Sequence, residues 1–400
     1  SPTLTAGLIA GIRKAGVNVL DAGTVPTPVL YWTEAMHDVE AGVEITGSHN
    51  PSEWNGIKMS VKGAALYGDA IQNLRARIEE GDLDSGDGSY EEVDVIDDYV
   101  TDVSQRFELG RPMRVAVDCG NGTTSLVAEE LMQAIGVTVT PLFCESDPTF
   151  PNHHPDPTVD DNLQELITTV EASDHDLGVA FDGDGDRLGV VDERGSIIRG
   201  DLLLLLYGLD LLSKRGAGQS LIFDVKCSQV VAEVFSKAGG QPIMWKTGHS
   251  LIKKKMRETG ALLGGELSGH IMIADDYFGF DDALYSACRL ISMVSASGST
   301  LSEMMTDFPT YVSTPEIRID VTEEQKWDVV KEAATHFGKI YEVLNVDGAR
   351  IQFADGWALL RASNTQPTIV ARFEAGTEKR LSEIREEIDL WLQAHGLSLP

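Results

Sequence analysis

One local pattern recurs three times in this chain: the end of an amphipathic helix, a small-residue turn, an apolar strand and a loop. The copies lie at residues 12–25, 132–145 and 235–248, spaced by about 120 and about 100 residues. Helices that alternate with strands favour parallel or mixed sheets with helices packed on their faces. The pattern therefore predicts three similar mixed-sheet α/β sandwich domains.

The last ninety residues differ from the rest. A strand at 316–321, a helix at 323–336, short strands within 349–375 and a charged helix at 378–395 predict an α+β domain. A chain of 400 residues also exceeds the size at which a single core stops growing. We therefore expect four domains around a central cleft, at residues 1–105, 106–200, 201–312 and 313–400.

Other segments have clear local patterns. The chain opens as a helix that runs to Lys14, without an initiator Met or a preceding strand, so we expect an N-terminal segment to be missing. The acidic stretch 79–98 is expected to be a surface connection. Strands are predicted at 113–118, 177–182 and 188–192, a helix at 125–135 and a hairpin turn at 193–195.

Charge and composition restrict the partners. A net charge of −31 disfavours nucleic acid and anionic membranes, although a local cationic pocket could still bind a phosphate. The apolar run 202–206 is too short to span a bilayer. Four scattered cysteines predict reduced thiols and a cytoplasmic protein. We expect either a monomer or a homodimer. They are Cys119, Cys144, Cys227 and Cys288.

Residues 182–187 read Asp-Gly-Asp-Gly-Asp-Arg. Three carboxylates at alternate positions can converge on one hard cation, and the glycines let a phosphate come close. An EF-hand is an alternative because Glu193 stands at the twelfth position. However, Arg187 occupies the place where that loop needs glycine, and strands flank the segment. The other alternative is an acidic surface turn, which the neighbouring apolar strands disfavour.

A second motif, residues 46–51, reads Thr-Gly-Ser-His-Asn-Pro. Ser48 between glycine and histidine is a candidate phosphate carrier if a metal loop activates it. The alternative is a loop in which Ser48 makes a local turn hydrogen bond. The motif differs from a nucleophile elbow because Asn and Pro follow the histidine.

Two further loops carry polar groups. Residues 264–270 place Glu266, Ser268 and His270 where they could bind sugar hydroxyls, and a polar turn is the alternative. Residues 361–365 combine Arg361 with hydroxyls and an amide, as in an anion-binding nest, and an ordinary hairpin is the alternative. Isolated residues such as Lys58, Lys226, Lys246 and His249 are more often structural.

Taken together, the four motifs resemble the α-D-phosphohexomutases over essentially the whole chain. They occur in the family's order, with Trp54–Lys58 after the serine motif and Gln366-Pro367 after the arginine motif. The form Gly-Glu-Leu-Ser-Gly-His is most similar to the phosphomannomutase/phosphoglucomutase branch, which usually has Met where Leu267 stands, whereas the phosphoglucosamine branch usually has Gln there. Residues 246–249 also resemble the dual-specificity branch. An arginine-containing loop that family members carry before residue 1 is absent from this sequence.

The resemblance implies reversible phosphoryl transfer between the 1- and 6-positions of a hexose phosphate, mannose, glucose or both. A phosphorylated Ser48 and a hexose 1,6-bisphosphate intermediate, also an activator, would carry the group, with Mg²⁺ on the serine phosphate, Asp182, Asp184 and Asp186. The alternatives are a phosphoglucosamine mutase and a catalytically impaired phosphosugar-binding protein.

The resemblance also implies roles for individual residues. Lys58 would be the general acid/base, with a lowered pKa if other cations crowd it, and Arg187 and His49 would assist it. The fourth domain would close as a lid. The implied sugar-binding residues are Glu266, Ser268, His270, His249 and Gly248, and the implied phosphate-binding residues are Arg361, Ser363, Asn364, Thr365, Lys226 and Lys246.

Overall fold

The computed structural model describes residues 1–50, 54–364 and 366–400. The first elements are α1 (Pro2–Lys14), β1 (Val19–Asp21), α2 (Thr27–Met36), β2 (Ala41–Thr46), β3 (Gly56–Val61), β4 (Ala64–Ala65), α3 (Asp69–Glu80), β5 (Tyr90–Glu92) and α4 (Ile96–Ser104). Next come β6 (Met113–Asp118), a 3₁₀ turn (Thr123–Leu126), α5 (Ala128–Ala134), β7 (Val137–Leu142), a 3₁₀ turn (Asp160–Leu163), α6 (Gln164–Ala172), β8 (Leu177–Phe181), β9 (Leu188–Asp192) and β10 (Ile197–Ile198).

The second half continues with the same alternation. Its elements are α7 (Gly200–Arg215), β11 (Ser220–Asp224), α8 (Gln229–Lys237), β12 (Gln241–Trp245), α9 (His249–Thr259), β13 (Leu263–Gly265), β14 (Ile271–Ile273), α10 (Ala283–Ser297) and α11 (Leu301–Met304). The C-terminal elements are β15 (Val312–Ser313), β16 (Ile317–Asp320), α12 (Gln325–Phe337), β17 (Glu342–Leu344), β18 (Ala349–Phe353), β19 (Gly356–Ala362), β20 (Thr368–Ala375) and α13 (Glu378–Gln393).

The recurring sequence pattern is the same structural unit each time. Helices α1, α5 and α8 end shortly before Gly16, Gly136 and Gly239, whose φ angles are 87°, 93° and 93°. This left-handed backbone is open to glycine and reverses the chain into strands β1, β7 and β12. The predicted α/β class, with an α+β region at the C terminus, is confirmed.

The chain divides into two compact units. The first comprises residues 1–203 and 262–306 and contains a five-stranded sheet in the order β10-β9-β8-β6-β7. Strands β7, β6 and β8 are parallel, and β8 turns back antiparallel into β9. Both strands of that last pair are buried throughout, so the loop that joins them is fixed at both ends.

A small antiparallel sheet in the same unit presents the serine motif. Strands β2 and β3 pair so that Glu44 lies directly opposite Lys58. The serine loop joins the two strands, and residues 51–53, which include Pro51 of the motif, lie outside the described residues. The sheet register therefore brings residues from both sides of this loop onto one face.

The second unit comprises residues 204–261 and 307–400. Its largest sheet is built on the antiparallel strands β17, β18, β19 and β20, and β15 and β16 both pair with β20. Helices α12 and α13 cover a core of buried aliphatic and aromatic side chains that includes Phe337, Ile351, Phe373 and Ile388. Strands β11 and β12 form a separate parallel pair in this unit.

Most of the predicted elements are present, with shifted ends. The helix predicted at 125–135 is a 3₁₀ turn followed by the shorter α5. The stretch 79–98 contains strand β5, which pairs with β1, so it is more than a connection. The four domain boundaries remain predictions. None of the helices in the described part of the chain combines the length and hydrophobicity that crossing a bilayer requires.

Candidate active site

The three aspartates of the loop between β8 and β9 converge in the first unit. Asp182, Asp184 and Asp186 are at most 2% exposed, and one oxygen from each lies within 4.8 Å of the others. Asp182 Oδ1 accepts three backbone N–H groups, from residues 185, 186 and 187, at 3.0–3.2 Å. The loop therefore wraps around its own first carboxylate.

Ser48 lies against this loop. Its hydroxyl donates to Asp182 Oδ2 at 3.0 Å, across 134 positions of sequence. Its backbone has a φ of 49°, and its N–H donates to Thr46 Oγ1 at 2.8 Å. A Cβ on Gly183 would collide with the Ser48 carbonyl oxygen, so glycine at this position lets the two loops touch.

The carboxylates fit a divalent cation. Asp184 Oδ2 accepts hydrogen bonds from Thr27 at 2.9 Å and Thr46 at 3.0 Å. Asp184 Oδ1 is buried and has no hydrogen-bond partner among the described residues. Burial first, and then repulsion from Asp186 and Asp184, raises the pKa of Asp182 well above its usual range. An oxygen-binding cation would satisfy the unpaired atom and relieve this repulsion.

Lys58 lies between two of the carboxylates. Its Nζ is 2.6 Å from Asp184 Oδ2 and 2.6 Å from Asp186 Oδ2. Burial acts to lower the pKa of Lys58, but the attraction of these two aspartates outweighs it and raises the pKa above its usual range. The lowered pKa that we expected under crowding by cations is therefore not found, because anions surround this amine.

Glu44, opposite Lys58 in the hairpin, adds another carboxyl to the same face. Burial, followed by repulsion from Asp184, raises the pKa of Glu44 to about 8. One of its oxygens, Oε2, is buried without a hydrogen-bond partner in the described part of the chain. Sequence reasoning missed Glu44 because the residue lies in a strand, outside the glycine-rich motif.

His49 is neutral at pH 7 and contacts the serine. Its Nδ1 is 2.9 Å from Ser48 Oγ. Burial, reinforced by the charge of Arg187, lowers the pKa of His49 to about 4. The His154 ring forms a hydrogen bond with the His49 carbonyl oxygen and so fixes the backbone of the serine loop.

The predicted sugar-binding loop, residues 264–270, belongs to the same unit as the aspartate loop. Ser268 Oγ donates to Glu266 Oε2 at 3.3 Å. Arg187 Nε donates to His270 Nε2 at 3.0 Å, while His270 Nδ1 lies 3.2 Å from Asp281. Burial acts to lower the pKa of His270, but Asp186 and Asp281 outweigh it and raise the pKa. His270 thus lies beside the aspartate loop, and its sugar-binding role stays a prediction.

The predicted phosphate-binding residues lie in the second unit, where Asp347 connects two of their segments. Arg361, 7% exposed, donates from Nε to Asp347 Oδ2 at 2.6 Å. The same oxygen accepts the Thr247 N–H at 3.1 Å. This carboxylate therefore holds Arg361 near the loop that carries the predicted residues Lys246, Gly248 and His249.

Lys226 lies near Thr247, through the carboxylate of Asp224. Its Nζ is 2.6 Å from Glu316 and 3.9 Å from Asp224, whose carboxylate also accepts from the Thr247 hydroxyl. The backbone around Lys226 is fixed by two buried arginines. Arg350 donates to the carbonyls on both sides of Lys226, and Arg372 donates to the Lys226 carbonyl itself.

A buried lysine supports the loop that follows Arg361. The fully buried Lys326 donates to the Ser363 carbonyl at 2.6 Å and to the Gln366 carbonyl at 3.0 Å. Asn364 is exposed, and Thr365 lies outside the described residues. Sequence reasoning missed Lys326, and likewise Thr27, Asp281 and Asp347, because each is a single residue distant from the motif that it contacts.

The comparisons with known proteins agree over the whole chain. Four family models match, described as phosphoglucomutase/phosphomannomutase alpha/beta/alpha domains I (residues 1–85), II (97–195) and III (199–311) and the C-terminal domain (316–390). A phosphomannomutase/phosphoglucomutase of Pseudomonas aeruginosa is 47% identical over 401 residues, covering 100% of this chain and 86% of the relative.

Two further relatives extend the likeness. A phosphoglucomutase of Neisseria meningitidis is 42% identical over 399 residues, covering 98% of this chain and 86% of the relative. A solved phosphoglucomutase/phosphomannomutase family structure from Burkholderia thailandensis superposes with a TM-score of 0.93 at 43% identity, covering 100% of this chain and 88% of that chain. Sequence and fold therefore point to the same group of proteins.

Proposed function

Because the chain belongs to the phosphoglucomutase/phosphomannomutase family and is a hexose-phosphate mutase, we propose that Ser48 carries the transferred phosphoryl group. The reaction is reversible transfer between O1 and O6 of glucose or mannose phosphate through a hexose 1,6-bisphosphate, which also acts as activator. One observation carries the proposal: the Ser48 hydroxyl lies 3.0 Å from Asp182 in the loop of converging carboxylates.

Asp182, Asp184, Asp186 and an oxygen on Ser48 are the residues that would hold Mg²⁺. The bound ion would supply positive charge to the phosphoryl oxygens and fix their orientation. The protein's own contribution is to place the serine: Thr46 accepts the Ser48 N–H, and Gly183 allows close packing on the Ser48 carbonyl. Phosphoryl transfer depends mainly on such positioning.

Lys58 is the proposed general acid/base for the hydroxyl that attacks or leaves. Its amine lies within hydrogen-bond distance of Asp184 and Asp186, in the loop whose first aspartate contacts Ser48. A divalent cation on these carboxylates would offset the attraction that raises the pKa of Lys58. His49 contacts Ser48 Oγ as a neutral ring, and Arg187, next to the last aspartate, supplies a fixed positive charge for the phosphoryl oxygens. These groups move or stabilise charge at the reacting oxygen atoms.

The remaining residues bind the substrate in either orientation. Glu266, Ser268 and His270, with Gly248 and His249, are proposed to contact the sugar hydroxyls. The phosphate that is not being transferred would bind Arg361, Ser363, Asn364, Thr365, Lys226 and Lys246, with the C-terminal domain closing as a lid. Two binding modes are required because the bisphosphate must turn end over end before the second transfer.

The experiment compares the wild type with the Ser48→Ala variant, each assayed with glucose, mannose and glucosamine 1-phosphates and a trace of bisphosphate. We expect turnover to fall below a few per cent of wild type while the fold is kept. Ser382→Ala, which removes an exposed helix hydroxyl, is the matched control and should retain full activity. Retained turnover in Ser48→Ala would overturn the proposal. The assay also tests the alternatives, since glucosamine phosphate turnover indicates the phosphoglucosamine branch and inactive wild type indicates a binding protein.

A further inference from the structure

Two cysteine thiols are in contact near the aspartate loop, residues 182–187. Cys119 follows β6, Cys144 follows the parallel neighbour β7, and their Sγ atoms are 3.2 Å apart. Neither is in a disulfide. The backbone holds the pair in register, since the Cys119 N–H donates to the Leu142 carbonyl at 3.1 Å. The two sulfurs therefore approach to about 1 Å beyond the length of a disulfide bond.

The two thiols differ in environment as a reactive and a resolving cysteine do. Cys119 is fully buried, whereas Cys144 is half-buried. The Cys119 thiol can donate to a Cys144 thiolate, which lowers the pKa of Cys144 against the effect of burial. The same contact, together with burial, raises the pKa of Cys119. Cys144 is accordingly the thiol that a small oxidant can reach as a thiolate.

We propose that Cys119 and Cys144 form a reversible disulfide in response to a hydroperoxide, and that this disulfide slows the mutase. The Cys144 thiolate attacks one peroxide oxygen, giving a sulfenic acid and releasing hydroxide. Cys119 sulfur then attacks Cys144 Sγ, and the oxygen leaves as water with the Cys119 proton. Overall, two thiols and one H₂O₂ give one disulfide and two waters, and an external dithiol reverses the reaction.

The turn that begins at Cys119 packs against the metal loop. The Thr123 N–H donates to the Gly183 carbonyl at 3.0 Å, and the Thr123 hydroxyl is 3.2 Å from the same atom. A Cβ on Gly122 would meet that carbonyl at 2.8 Å, so the two turns have no spare space between them. Movement of Cys119 toward Cys144 is therefore transmitted to the residue between Asp182 and Asp184.

The predicted effect is kinetic. A shift of about 1 Å in a positioned group can lower turnover by about 100-fold, so we expect kcat to fall by about 10- to 100-fold on oxidation. This effect rests on the mutase function proposed above. Formation of the disulfide does not depend on that function, because it is measured by mass. The disulfide and its effect on kcat are therefore tested separately.

The test oxidises the full-length enzyme with H₂O₂, blocks remaining thiols and measures the intact mass and peptides. We expect loss of two hydrogen atoms and a linked peptide pair that contains Cys119 and Cys144. Dithiothreitol should restore the mass and the activity. Added oxygen on Cys144 without the cross-link, or no reaction at this pair, would overturn the proposal, as would a disulfide that leaves kcat unchanged.

Variants separate this disulfide from general oxidation. Cys144→Ser should retain basal turnover and lose the sensitivity to peroxide. Cys288→Ser is the control, because Cys288 is buried elsewhere in the same unit and should leave the sensitivity unchanged. Cys119→Ser should likewise lose the sensitivity to peroxide. If this substitution of a buried residue does not fold, Cys144→Ser alone decides the test. Peroxide inactivation that persists in Cys144→Ser would contradict the proposed switch.

Discussion

The ammonium group of Lys58 lies 2.6 Å from the Asp184 carboxylate, although 126 residues separate them in the chain. The same group is 2.6 Å from Asp186. Lys58 therefore supplies positive charge to the carboxylates that are the proposed metal ligands. A bound divalent cation and this lysine would act on the same negative charge, so each would weaken the attraction of the carboxylates for the other.

The first prediction concerns metal removal. Excess EDTA should stop turnover and added Mg²⁺ should restore it, because the aspartates and the serine oxygen offer hard ligands. Thermal unfolding gives a second readout: Mg²⁺ should raise the Tm of the wild type and leave that of Asp184→Asn unchanged. Asp174→Asn, in an exposed turn, is the control. Full activity in EDTA would show that no metal is required.

The second prediction concerns Lys58. Lys58→Ala should lower kcat by about 10²- to 10⁴-fold through loss of the general acid/base, with a smaller change in KM. Lys62→Ala, at the exposed end of the same hairpin, is the matched control and should be near wild type. Steady-state kinetics in both reaction directions measures this. A Lys58→Ala enzyme with wild-type kcat would remove Lys58 from the mechanism.

The sequence was sufficient to predict which residues of the local motifs come together in the first unit. The three aspartates stand in a glycine-rich loop and Ser48 follows Gly47 in a short polar motif, and the alternation of helices and strands predicted the sheets that hold them. Glu44 could not be found in this way, since only the register of β2 against β3 places it opposite Lys58. Asp347 and Lys326 likewise act through contacts between distant segments, which local spacing does not encode.

The third prediction follows from the pKa of Glu44, which burial and then repulsion from Asp184 raise to about 8. Below about pH 4.5 the carboxyl is protonated in both the folded and unfolded states, so Glu44→Gln should have little effect. Between pH 4.5 and 8 the Glu44 carboxyl ionises in the unfolded state but stays mostly protonated in the folded state. The free energy of unfolding of the wild type therefore falls as the pH rises.

Glu44→Gln should therefore stabilise the metal-free protein increasingly between pH 4.5 and 8, reaching about 2–4 kcal/mol above that range. Urea unfolding in EDTA at pH 5 and pH 9 measures the difference. Glu40→Gln, at the start of the same hairpin and with no strong burial, is the control. Equal effects of Glu44→Gln at both pH values would contradict the raised pKa.

The fourth prediction concerns Arg361. Arg361→Ala should raise KM for both the 1-phosphate and the 6-phosphate, by an amount equivalent to about 2–3 kcal/mol for a lost charge-assisted contact. Phosphorylation of Ser48 should be unchanged, because Arg361 is proposed to hold the phosphate that is not transferred. Arg380→Ala, which removes an ion pair with Asp355 elsewhere in the same unit, is the control. A defect in one direction only would show that Arg361 contacts a single binding orientation.

Phosphate on Ser48 tests the central proposal most directly. The enzyme is charged with labelled hexose 1,6-bisphosphate, and peptide mass mapping locates the label. It is then mixed rapidly with unlabelled hexose 6-phosphate in a single turnover. We predict one phosphate, on Ser48, that passes to the sugar at a rate at least equal to kcat. A label on another residue, or a Ser48 phosphate that transfers more slowly than kcat, would contradict the phosphoserine mechanism.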